Sequence, residues 1–177
     1  MKCGMWKSFA EMRWLMQKLI DFLAKFVEPL GMRIYLDQCA YNRPFDDQSN
    51  IKTQLETLAK LYIQEQIRQG KYDLIWSYMS DFENNNNPNI ENKKSIQLWE
   101  EISKYKCKSS EQILAQGKLI EGKGIRANDA LHIACALESK CDYFITTDLS
   151  LSRKKIEGIL IVNPIDFIRI MEEQNED

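Results

Sequence analysis

The chain has 177 residues, 44 % of them apolar and 28 % charged, which suits one soluble domain with a sizeable core. A net charge of −2 excludes a polycation that grips nucleic acid by bulk composition, although local basic clusters remain open to it. Five scattered cysteines, odd in number and never in a C-x-x-C pair, argue for a reducing cytosol over a disulfide framework or a zinc site.

The first thirty-one residues carry a long apolar seam. Met5, Phe9, Met12, Met16, Leu19, Leu23, Phe26 and Leu30 alternate steps of four and three, the spacing of one helix face. Charges at Glu11, Arg13, Lys18, Asp21 and Lys25 interrupt any signal-peptide core, and no apolar run reaches membrane-spanning length. The expectation is an amphipathic helix over 1–31, ended by Pro29-Leu30-Gly31, that covers its own domain, a second copy or another protein. The remaining 32–177 form the second region.

Arg33-Ile34-Tyr35-Leu36 reads as a short strand ended by Asp37, and the polar run from Gln38 to Gln48 as a loop. Ile51, Leu55, Leu58, Tyr62 and Ile63 recur at helical spacing up to Gly70, a terminator. Tyr72 to Trp76 is a second strand, after which Ser77 caps a helical turn carrying Asp81 and Glu83. Asn84 to Asn87 with Pro88 predict an exposed loop, and Ile90 to Tyr105 and Ser110 to Ile120 predict amphipathic helices.

The organising stretch follows. Asn128 is placed to cap a helix whose apolar stripe is Ala130, Leu131, Ile133, Ala134 and Leu137, and Tyr143 to Thr146 is a buried strand ended by Asp148. A helix of eleven residues rises about 16 Å, and a five-residue strand climbs about as far. The chain runs down one and back up the other, so Asp129 and Asp148 return to the same edge. Ile159 to Val162 is a last strand, and Pro164 opens a closing helix.

Strands alternating with helices imply a parallel sheet covered on both faces, with functional groups at the carboxyl ends of the strands. Asp37, Glu83, Asp129 and Asp148 all map to that edge. Crowded carboxylates raise one another's pKa, and a hard divalent cation, Mg²⁺ or Mn²⁺, resolves the conflict. His132, one turn beyond Asp129, reads as a packed residue before a general base. Asp46 and Asp47 read as turn acids, the cysteines as core fillers, and Arg153, Lys154 and Lys155 as cations able to hold flanking phosphates.

Ile34-Tyr35-Leu36-Asp37, the run Asn128-Asp129-Ala130-Leu131-His132-Ile133-Ala134 and Tyr143-Phe144-Ile145-Thr146-Thr147-Asp148 together resemble PIN-domain proteins, most of all VapC-like toxin ribonucleases. The resemblance spans Met32 to about Met171. It implies an α/β sandwich and an Mg²⁺- or Mn²⁺-dependent endoribonuclease of the cytoplasm. It further implies Asp37, Asp129 and Asp148 in three acidic positions, with Glu83 fitting the second better than Asp81. RNA as substrate, a homodimer and an antitoxin protein are the implied partners. The alternative is a degenerate PIN module that binds a protein instead of cutting RNA. An Asp-x-Asp phosphatase is disfavoured, because Asp37-Gln38-Cys39 lacks the second acid.

Overall fold

A computed structural model describes Lys18 and residues 31–175. The helix expected over 1–31 lies outside the described residues. Five strands, β1 (Met32–Leu36), β2 (Tyr72–Ser77), β3 (Tyr105–Cys107), β4 (Tyr143–Ile145) and β5 (Leu160–Val162), form one sheet. Every pairing is parallel and the order is β3-β2-β1-β4-β5. The helices are α1 (Gln38–Asn42), α2 (Ile51–Arg68), α3 (Tyr78–Asn85), α4 (Ile90–Ile102), α5 (Glu111–Glu121), α6 (Ala127–Glu138), α7 (Leu149–Ser152) and α8 (Pro164–Asn175), with a 3₁₀ turn at Arg43–Phe45.

Strand alternation divides the core into two layers. Tyr35, Ile75, Phe144 and Ile161 point toward Ile113 and Ile120 of α5 and Ile133 and Ala134 of α6. Ile34, Leu36, Leu74, Trp76 and Ile145 point toward Ile63 and Ile67 of α2, Ile96 and Trp99 of α4, and Phe167 and Met171 of α8. The central strands are therefore buried on both sides, as a parallel sheet requires. Close approach of α5 to α6 depends on Gly117, where a Cβ would meet Leu131 Cδ2 at 2.7 Å.

Several elements differ from expectation. The polar run after Asp37 is helical, because the Asp37 carboxylate caps α1 at the Gln38 N–H. On α2 the stripe of Ile51, Leu55, Leu58 and Tyr62 is exposed, and the buried face carries Glu56, Ala59, Lys60, Ile63, Gln64 and Ile67. Two stripes at helical spacing competed there. The polar one won because Glu56 is satisfied inside, by Arg43 Nε at 3.0 Å and Asn163 Nδ2 at 2.7 Å.

The helix over Ile90 to Tyr105 ends at Ile102, and β3, unforeseen, begins three residues later. Nor does α3 stop before Asn84. Asn84 is buried and helical, donating to Lys93 O and Gln97 Oε1 at 3.0 Å each. Finally, α6 starts at Ala127, so Asn128 sits inside the first turn and is not its cap.

Candidate metal centre

Strand order reverses between β1 and β4, and the crevice at their carboxyl ends is where such a sheet gathers chemistry. Asp37 closes β1 there: its N–H donates to Ile145 O at 3.0 Å, carrying the ladder one residue past the strand. Its Oδ1 accepts from Gln38 N at 2.7 Å, and its Oδ2 from Thr146 Oγ1 at 2.8 Å and Cys39 Sγ at 3.0 Å. Only 5 % exposed, this carboxylate is fixed from two strands. Burial and the neighbouring Asp37 push the Cys39 thiol up to about 12, so it stays a protonated donor.

Asp148 follows β4 and caps α7. Ser150 N and Ser150 Oγ at 2.7 Å and Leu151 N at 3.3 Å all donate to its Oδ1. Hydrogen bonds from Ser150, above all its hydroxyl, hold this carboxyl below its ordinary range. Asp129 lies half-buried in the first turn of α6. Burial, then the charges of Asp37 and Asp148, push it up to about 6.

Glu83 comes from the last turn of α3. Its Oε1 accepts from Asn128 Nδ2 at 3.3 Å, and its Oε2 stands 3.4 Å from His132 Nε2. Burial raises its pKa, but His132 and Asn128 outweigh that and leave it lowered. Carboxylate oxygens of Asp37 and Glu83 and a ring nitrogen of His132 lie within 4.8 Å of one another. Asp129 and Asp148 are not part of that close group; nor is Asp81, which accepts from Trp76 Nε1 at 2.9 Å and Gln97 Nε2 at 3.4 Å. None of Asp37, Glu83, Asp129 and Asp148 pairs with a lysine or arginine among the described residues.

His132 is packed, as expected, with no exposed surface and Nδ1 2.6 Å from Tyr35 Oη. What the sequence concealed is its reach to Glu83 and the reach of Asn128 to the same carboxylate. Thr146, expected to end the strand, holds the Asp37 carboxylate through its Oγ1, which also accepts from Asp148 N at 3.1 Å. Next to Glu83 opens a cleft of about 430 Å³ lined by Asn42, Phe45, Phe82, Asn86, Asn87 and Asn128. Asp46 is a turn acid paired with Arg43 at 2.8 Å, and Asp47 binds Ser49.

Fold and site together define a parallel α/β domain with an acidic cluster at its topological switch point. The PIN domain family model matches residues 34–157, most of the chain, and the chain belongs to the PIN-domain family. Among solved structures, the chain is similar to VapBC2 from Rickettsia felis, whose crystal structure holds it bound to a DNA fragment from their promoter. That similarity has 19 % identity, a TM-score of 0.44, and covers 75 % of this chain and 98 % of that one. No curated protein sequence matches this chain.

Proposed function

We propose that this PIN domain is an Mg²⁺- or Mn²⁺-dependent endoribonuclease that acts as the toxin of a toxin–antitoxin pair. The observation that carries the reading is the set Asp37, Glu83, Asp129 and Asp148 at the carboxyl edge, with no lysine or arginine paired to any of them among the described residues. Hard oxygen donors of this kind suit Mg²⁺ or Mn²⁺, and Asp129, raised to about 6 by burial and its acidic neighbours, is the group a cation would relieve.

A bound divalent cation supplies Lewis acidity toward a phosphate oxygen and acidifies water. The chain's own residues do the rest. Thr146 and Cys39 lock the rotamer of Asp37, Ser150 fastens one oxygen of Asp148, and Asn128 steers Glu83. The amides of Asn42 and Asn87, bonded to each other at 3.1 Å, and of Asn86, which donates to Phe82 O, give the cleft a polar wall, and Phe82, 53 % exposed, offers a stacking face. Those are the features that read unpaired RNA bases.

The protein should cleave RNA with Mg²⁺ or Mn²⁺ and stop with EDTA. EDTA-resistant cleavage would overturn the metal mechanism, and unchanged cleavage in Asp37→Asn, Asp129→Asn and Asp148→Asn alike would overturn the site. Homodimerisation and an antitoxin partner belong to the same proposal, supported by the apolar seam from Met5 to Leu30. Light scattering on the chain with and without residues 1–31 tests that seam; an unchanged, soluble dimer overturns its role.

A further inference from the structure

We infer that His132 is a nitrogen ligand of this centre, and that the centre therefore favours Mn²⁺ over Mg²⁺. The inference rests on the metal-dependent reading above and goes beyond its all-carboxylate ligand set.

The first observation is an orphan. His132, the only histidine, is fully buried, yet its Nε2 has no hydrogen-bond partner. A buried polar atom left in this state is costly, and native structures leave few of them. The nearest acceptor is Glu83 Oε2 at 3.4 Å, without the geometry of a hydrogen bond.

That spacing has a better explanation. Two donor atoms each about 2.1 Å from one shared cation lie about 3.0–3.4 Å apart, depending on the coordination angle. A ring nitrogen of His132 and carboxylate oxygens of Asp37 and Glu83 also lie within 4.8 Å of one another, close enough to face a single ion.

The other side of the ring is already arranged as a metal-bound imidazole needs. Nδ1 lies 2.6 Å from Tyr35 Oη, which lies 2.5 Å from Ser77 Oγ and 3.3 Å from Ser80 Oγ. With a cation bound and the proton on Nδ1, His132 donates to Tyr35, Tyr35 donates to Ser77, and the Nε2 lone pair is free on the side of Glu83. Such an outer partner fixes the tautomer and ring orientation of a ligating histidine. Without a cation, a proton on Nε2 would face Glu83, the interaction that lowers that carboxyl.

A carboxylate-only site suits Mg²⁺, whereas imidazole shifts preference toward transition metals. The test is electron spin echo spectroscopy of the full-length wild-type protein loaded with Mn²⁺, alongside binding constants for Mn²⁺ and, by competition, Mg²⁺. The expected result is nitrogen modulation from one directly bound imidazole, with Mn²⁺ bound more tightly than Mg²⁺. His132→Gln should erase the modulation and weaken Mn²⁺ binding by about tenfold or more, with a smaller loss for Mg²⁺.

The wild-type spectrum decides the matter even if the variant folds poorly. Bound Mn²⁺ without nitrogen modulation overturns the inference and leaves the carboxylate site standing. Modulation that survives His132→Gln overturns it equally. Failure of Mn²⁺ to bind at all removes the metal-dependent reading itself.

Discussion

The two edges of the sheet treat charge in opposite ways. At the amino edge Asp142 and Asp73 each have a partner. Asp142 Oδ2 accepts from Arg33 N at 2.8 Å, Asp73 pairs with Lys104 at 3.1 Å, and Arg33 also donates to Ser139 O at 3.0 Å. The carboxyl edge collects Asp37, Glu83, Asp129 and Asp148 without one lysine or arginine pairing among the described residues, and pushes Asp129 up to about 6. The larger cavity, about 880 Å³, lies at the amino edge beside Asp142 and Tyr143, away from the acidic cluster. Size therefore does not locate the chemistry. In the reading proposed above crowded acids do, because a folded chain keeps a carboxyl raised as that of Asp129 is only at a cost in stability.

The sharpest way to break this contrast is to remove one acid from each kind of environment at the carboxyl edge. Asp129→Asn should reduce metal-dependent cleavage by at least about 100-fold, the upper end of what losing a mere supporting partner costs. In EDTA the same variant should be more stable than wild type. Asp129 titrates higher in the folded chain than in the unfolded one, so the folded state binds more protons between pH 4 and about 6 and loses stability as pH rises through that window. The penalty is complete above it. At pH 7.5 the amide should gain about 1–2 kcal/mol, a figure reduced for the half-exposed setting of the carboxylate. Asp37→Asn should lose cleavage equally and gain no stability, because Thr146 and Cys39 both donate to that carboxylate. Thermal melts with parallel cleavage assays separate the two, and a destabilised Asp129→Asn would contradict the contrast.

Much of the carboxyl edge was legible in the sequence, since strand ends fix where the following acid stands. Asp37 and Asp148 needed only Ile34-Tyr35-Leu36 and Tyr143-Phe144-Ile145 to be recognised as buried strands. Glu83 needed the Ser77 cap, which sets the phase of α3 and carries Glu83 to the cluster while Asp81 turns toward Trp76. The contact between His132 and Glu83 was not legible, because it joins residues 49 apart through side-chain reach alone. The burial face of α2 was misread for another reason. Its exposed stripe of Ile51, Leu55, Leu58 and Tyr62 is the more apolar one, and only tertiary partners of Glu56 decide between faces. Three residues of β3, two of them exposed, carry too little pattern to announce a strand.

A solitary uncompensated charge sharpens the comparison, because it should affect stability without affecting cleavage. Lys60 is 4 % exposed and has no ion pair among the described residues; burial, then Arg68, lowers its pKa to about 7. The unfolded chain therefore holds more protons between pH 7 and about 10, so stability rises with pH there, by at most about 1.4 kcal/mol per unit. Lys60→Met keeps the length of the stem and removes the charge. Its melting temperature should exceed that of wild type at pH 6.5, and the gap should shrink toward pH 9. Cleavage should be unchanged. A constant gap across that range would show that Lys60 stays charged when folded.

The smallest effect is expected at the amino edge, where charge serves the fold alone. Asp142 follows α6 and accepts the N–H of Arg33, tying the start of β1 to the turn before β4. Asp142→Ala removes that acceptor, but the Arg33 guanidinium keeps Ser139 O, and the Asp142 backbone keeps its bonds to Arg33 O and Leu160 N. The loss should be one net hydrogen bond to a carboxylate at an exposed position, about 1 kcal/mol. It should appear as a lower denaturant midpoint with an unchanged slope. Metal affinity and cleavage should match wild type, because the change lies at the opposite ends of β1 and β4 from Asp37 and Asp148. A variant at Asp142 that lost metal binding would show that the two edges are coupled through β1, and the division of labour between them would fail.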